Sequence, residues 1–283
     1  MTEQEFLAAY DITQYPRPSL TADILTFGLS RNQKDVRKIP IDGIQILLVN
    51  RAEHPDMGKW ALPGGFVRPD ETVNHAALRV LETETGVTAN LNLINTYSEP
   101  GRDPRGWIVS NAFYGMVDKT ACSLRTDKQA WNARWFTLID HQKTNLGTSG
   151  NITTAIHSHT FQDETDTESF TIKVQTQTRI HGTQVQTLSK VLSKELAFDH
   201  DLILFETMEK LRQTIKHDIR ALFDLFPDSF TISELRMAYQ LITGIDDANF
   251  RRTVKNYVIE TTQEATAGYR PPKLYKRNPA MFL

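Results

Sequence analysis

Residues 60–87 read WALPGGFVRPDETVNHAALRVLETETGV, and this stretch decides the fold. Pro63-Gly64-Gly65 predicts a tight turn, since the two glycines permit backbone angles that a side chain forbids. Asp70 or Glu71 is placed to cap a helix, with Thr72 close behind. Ala76, Ala77, Val80 and Leu81 recur at helical spacing and give that helix a buried stripe. Gly86 stands where helices prefer to end in glycine. The segment is a Gly-rich loop, a helix and a sharp stop.

Strand signals surround it. Ser19–Leu29 alternates, and Gly43–Asn50 is an apolar, β-branched run suited to a central strand. The polar SRNQKDVRKIPID between them reads as a turn. Leu91–Ser98 and Trp107–Val117 are further strands. Residues 1–19 read as a short helix and an extended arm, because Pro16 and Pro18 exclude helix there.

The string resembles the Nudix box: Gly, five residues, Glu, seven residues, then Arg-Glu-apolar-x-Glu-Glu-x-Gly-apolar. Gly65, Glu71, Arg79, Leu81, Glu84, Gly86 and Val87 fall on that pattern. The resemblance implies a Nudix α/β/α sandwich over about residues 20–140, with Ala133–Leu138 similar to the strand that closes its sheet. In the family's hydrolases the glutamates of the box hold divalent cations against a pyrophosphate. The matching positions here are Val80, Thr83 and Glu84, so two of three carboxylates are missing. Positions 80, 83 and 84 share a helix face, and Glu82 points elsewhere. A hard cation needs clustered oxygens, and Glu84 with a distant Glu71 is a poor two-metal site. The box is expected to keep its shape without its chemistry, with no cofactor and no catalytic residue beyond the residual candidates Glu84 and Glu71.

The loop SEPGRDPRGWIVS at 98–110 is dense in charge. Guanidinium forks match phosphate oxygens, and Nudix proteins acting on ADP-ribose line their pocket with a similar stretch. Arg51, Gly64, Gly65, Arg79, Glu84, Arg102, Asp103 and Arg105 are therefore the candidate effector-binding residues, with Arg79 also able to brace the box loop.

Residues 140–195 are polar and Thr-rich and read as a β-rich insertion, with Phe170–Gln177 and Thr183–Ser189 forming a hairpin about Ile180-His181-Gly182. His141, His157, His159 and His181 fix no third metal ligand by spacing and read as surface residues. Ala197-Phe-Asp-His200 resembles the start of the last Nudix helix; Asp199 is its expected N-cap, and a break is expected near 213–217 in the long span 201–226.

At 283 residues, two domains are expected, 1–205 Nudix-like and 206–283 beyond it. Thr231-Ile-Ser-Glu234 has capping-box spacing ahead of an apolar stripe that ends at Gly244. After Asp246 or Asp247 a second helix is expected over Ala248–Ile259. Ile259–Thr262 and Lys273–Lys276 then pair around a loop containing Gly268, Pro271 and Pro272. This is the order of a winged helix-turn-helix. The net charge is −2, yet residues from 250 onward carry seven Lys/Arg against two Glu, so that end suits a polyanion. Asn249, Arg251, Arg252, Lys255, Lys273 and Tyr275 are the candidate contacts to double-stranded DNA.

Together these segments resemble the Nudix-related transcriptional regulators of NAD metabolism. That resemblance implies a dimeric repressor released from DNA by ADP-ribose or a related nucleotide sugar. The alternative is an active Mg²⁺-dependent Nudix hydrolase of ADP-ribose or another nucleoside diphosphate derivative, with Glu164, Asp166 or Glu168 completing the metal site. One cysteine, no apolar run long enough to span a membrane and no signal peptide lead to an expected cytoplasmic location.

Overall fold

The computed structural model describes residues 1–31, 41–124, 132–264 and 272–282. Most of the polar turn expected after Ser30, and Gly268 and Pro271 of the last loop, lie outside these residues. Two antiparallel strands, β1 (Ser19–Arg31) and β2 (Ile41–Asn50), form the centre of one large sheet. Their apolar runs are buried on both faces, as central strands require. Two short strands, β3 (Trp60–Ala61) and β4 (Gly64–Phe66), pair with β2 and β1 and pin the glycine turn to the sheet.

After a short N-terminal helix, α1 (Glu3–Ala9), the next α-helix, α2 (Val73–Thr85), buries Ala76, Ala77, Val80 and Leu81 against one face of the sheet. Its N-cap is Thr72, whose hydroxyl accepts from the His75 amide at 3.2 Å; Asp70 and Glu71 do not cap it. Gly86 closes it in the left-handed region at φ 76°. Beyond it, β5 (Leu91–Tyr97) is antiparallel to β6 (Ile108–Met116), which runs parallel to β1.

On the far side of β2 follow β7 (Asn132–Ser149), β8 (Ile152–Asp163), β9 (Ser169–His181) and β10 (Gln184–Val191). The spatial order is β10-β9-β8-β7-β2-β1-β6-β5. The expected hairpin is present, and the region after 140 is an extension of the main sheet, since β7 runs through that position unbroken.

The opposite face is covered by α3 (His200–His217). His157 and His159 lie buried beneath it, their rings 5.0 and 5.7 Å from Phe205. They are not surface residues, because the odd-numbered side chains of β8 from Ala155 onward turn inward. The helix is unbroken over 213–217; it ends at Asp218, whose carboxylate caps a following 3₁₀ turn, Ile219–Leu225.

The remaining elements are α4 (Ile232–Thr243), α5 (Phe250–Val254), β11 (Val258–Glu264) and β12 (Lys273–Arg277). Thr231 and Glu234 form the expected capping box, and Gly244 ends α4 at φ 72°. The second helix is shorter than expected: Val258 and Ile259 pair with Arg277 and Lys276, and strand pairing suits these β-branched residues better. The apolar residues of this unit join those of α3 and of β1, β2 and β6 in one continuous core.

Candidate functional site

A cleft of about 180 Å³ opens where β1, the β4 turn, α2 and the start of α3 meet. That is below the usual size of a whole-ligand pocket, so a large ligand would project from its mouth. Gly64 and Gly65 line it, and neither lies at positive φ. Their need for glycine is proximity: a Cβ on Gly64 would sit 2.0 Å from Asp23 Oδ1, and one on Gly65 2.9 Å from Val80 Cγ2.

Glu84 also lines the cleft, and its Oε2 accepts from the Gly64 amide at 3.1 Å. Burial pushes its carboxyl up to about 8, and the neighbouring Asp23 adds to the rise. Asp23, on β1, is raised for the same first reason, burial, while the hydroxyls of Ser110 and Thr21 donate to its Oδ2 and oppose the rise.

Arg79 does not line the cleft. Its guanidinium forks onto Glu71 at 2.5 and 2.9 Å and also donates to the Phe66 carbonyl at 3.1 Å. The arginine hydrogen bond holds the Glu71 carboxyl down at about 2. This pair braces the turn.

Arg51, Arg102, Asp103 and Arg105 do reach the cleft. Arg102 makes a bidentate pair with Asp199 at 2.6 and 2.8 Å, so Asp199 serves as its partner and makes no helix-capping bond. Arg105 is paired with Asp103 at 2.7 Å. Arg51 donates to the carbonyls of Pro55 and Glu53 and has no carboxylate partner among the described residues. Its charge is the one best left for an anion.

Among the cleft residues that the sequence analysis did not single out as candidates are Asp23, Phe198 and His200. Phe198 lies at φ 55°, a strained conformation for an aromatic residue, with its amide donating to Asp56 Oδ2 at 3.0 Å. Arg51 and Arg105 lie 4.6 and 5.0 Å from its ring centre. His200 Nδ1 accepts from the Leu62 amide at 2.9 Å, and burial lowers its pKa to about 4. The segment 197–200 was visible in sequence, but only as a helix start.

The donors do not fit a divalent cation held against a pyrophosphate. Val80 is buried, position 83 is threonine, and no group of three or more His, Cys, Asp or Glu suited to a metal occurs among the described residues. Of the carboxylates weighed to complete such a site, Glu164 and Glu168 bond to Lys119 and Trp60, and none of Glu164, Asp166 and Glu168 lines the cleft.

At the other end, a groove of about 520 Å³ separates α5 from the strand pair. Asn249, Arg252 and Lys255 are exposed along it. Arg251 donates to the Tyr275 hydroxyl at 3.1 Å, and Lys273 is paired with Glu260 at 2.5 Å. Tyr275 lines the groove too, but it is largely buried and its backbone pairs with Phe230, so it belongs to the base of the wing.

Residues 32–154 match the family model of the NUDIX domain, and residues 222–276 that of the NrtR DNA-binding winged helix domain. The ADPR responsive transcriptional repressor NtrR of Acinetobacter baylyi is 28% identical over 97% of this chain and 88% of its own length. An ADP-ribose pyrophosphatase of Methanocaldococcus jannaschii is 37% identical over 37% of this chain and 69% of its own. A MutT/nudix family protein from Enterococcus faecalis, known as a crystal structure, superposes with a TM-score of 0.64 at 26% identity, covering 98% of this chain and 94% of that one.

Proposed function

The chain belongs to the Nudix family, and from that premise we propose that it is a transcriptional repressor whose Nudix domain senses ADP-ribose or a related nucleotide sugar. One observation carries the reading: a cleft with three arginines and a depleted box shares a chain and a core with a basic winged helix. The likeness to the Acinetobacter repressor along nearly the whole chain supports it.

In this reading residues 1–205 sense and 206–283 bind DNA. Arg51 is the first anion contact, Arg102 and Arg105 form the cationic wall with Asp103, and Gly64, Gly65 and Glu84 form the floor. Asn249, Arg251, Arg252 and Lys255 enter or flank the major groove, and Lys273 approaches backbone from the wing. Two copies act together, each placing one recognition helix on the DNA. The effector favours an arrangement that does not fit DNA and so releases it. The test is binding to DNA from the protein's own upstream region, at two salt concentrations, with and without ADP-ribose. The expected result is tight binding that weakens with salt and is lost on adding ADP-ribose. Unchanged binding under every nucleotide tried would overturn the effector half of the reading.

A second reading, an ADP-ribose hydrolase, is favoured by the identity to the Methanocaldococcus pyrophosphatase. The substitutions at 80 and 83 weigh against it. Release of AMP from ADP-ribose in the presence of Mg²⁺ would establish it, and no release would be the expected outcome.

A further inference from the structure

We infer that Asp23 and His200 together read a hydroxyl group of the effector, and that this pair sets the demand for an intact sugar. The inference rests on the nucleotide-sugar reading above and names what that site recognises.

The Leu62 amide donates to His200 Nδ1 at 2.9 Å, so the neutral ring carries its proton on Nε2. The Nε2 atom stands 3.9 Å from Asp23 Oδ1, too far for a hydrogen bond between them. Both side chains line the cleft, and neither atom has another partner among the described residues. Asp23 Oδ2, by contrast, is occupied by Ser110 and Thr21, which fixes the carboxyl and aims Oδ1.

A donor and an acceptor at that separation suit one oxygen that both accepts and donates. A ligand hydroxyl set at hydrogen-bond distance from each would accept a hydrogen bond from His200 Nε2–H and donate one to Asp23 Oδ1. A phosphate oxygen would meet the donor but confront the carboxyl, and a bare carbon would leave both groups buried and unpaired. Gly64 keeps the place open, because any side chain there would strike Asp23 Oδ1 at 2.0 Å. The cationic wall then holds the charged part of the ligand while this pair examines its sugar.

The test is calorimetric binding of the full-length protein to ADP-ribose and to analogues that each lack one ribose hydroxyl. The wild type should bind one of these analogues roughly 10- to 100-fold more weakly than ADP-ribose, the effect of leaving a buried donor and acceptor unpaired. Asp23→Ala and His200→Gln should each bind ADP-ribose more weakly and lose the preference, binding it and that analogue alike. Thermal melting reports whether each variant folds, and His200→Gln keeps an acceptor for the Leu62 amide if Asp23→Ala does not fold. Wild-type protein that binds every analogue as tightly as ADP-ribose would overturn the inference while leaving the effector reading intact. So would variants that keep the discrimination. Failure of the wild type to bind ADP-ribose itself would remove the effector reading and this inference with it.

Discussion

Arg31 at the end of β1 is ion-paired with Glu234 of α4 at 2.6 Å, and both side chains are largely shielded from solvent. The other oxygen of Glu234 takes the Thr231 amide at 2.8 Å, so one carboxylate closes the capping box and fastens the winged helix to the central strand. The same strand carries Thr21 and Asp23 into the cleft at its other end. Arg31→Ala should lower stability by about 1–3 kcal/mol, since it leaves Glu234 poorly compensated. Denaturant unfolding checks this. The same variant should show a smaller effect of ADP-ribose on DNA affinity, and an unchanged effect would show that the strand does not carry the signal.

The cleft arginines should separate by role. Arg51→Ala is expected to weaken ADP-ribose binding about tenfold or more while moving the melting temperature little, because no carboxylate among the described residues depends on it. Arg102→Ala abandons Asp199 at the start of α3 and should lower both affinity and melting temperature. Calorimetry and thermal melting on the two variants distinguish them.

Glu84 predicts a direction of pH dependence. Its carboxyl is pushed up to about 8 in the folded chain from an ordinary value of 4.5, so between those values the folded state holds a proton that the unfolded state gives up. This group therefore makes stability fall as pH rises from about 5 to 8. His200, held down at about 4, acts in the opposite sense only below its ordinary 6.5. Melting measured from pH 6.5 to 8.5 should decline in the wild type more steeply than in Glu84→Gln. Parallel profiles would count against the buried, protonated carboxyl.

On the DNA side, Arg252→Ala and Lys255→Ala should each weaken binding across sequences and reduce the salt slope by roughly one, as loss of a phosphate contact does. Tyr275→Ala should unfold the wing by several kcal/mol through loss of a buried aromatic, whereas Tyr275→Phe should keep the fold. Binding titrations at several salt concentrations and melting curves read the two effects apart.

Local rules made much of the fold legible. Gly86 and Gly244 stop helices where their positions in sequence said they would, and Thr231 with Glu234 caps α4. The hairpin at 181–184 followed from alternation on both sides of a glycine. The cleft was less legible because its geometry depends on residues far apart in the chain. Asp23 matters through Ser110 and Gly64, and His200 through Leu62. Arg79 showed the converse: its place in the box suggested a ligand contact, but Glu71 lies within reach and holds it. The end of α5 was misplaced because Val258 and Ile259 suit a helix stripe as well as a strand, and only their partners on β12 decide.

The unbroken α3 begins at the cleft and, through Arg212, donates to the Ile242 carbonyl of α4 at 2.9 Å. Its buried side chains belong to the sheet and to the winged helix at once. Sensor and reader are therefore not interchangeable cassettes. A chimera that keeps this Nudix sheet but takes its DNA-reading unit from a relative must inherit the matching half of α3 too. Without it, the transplant would present a mismatched apolar seam where this chain has a shared interior, so descent should preserve the two parts and their seam as a single hereditary unit.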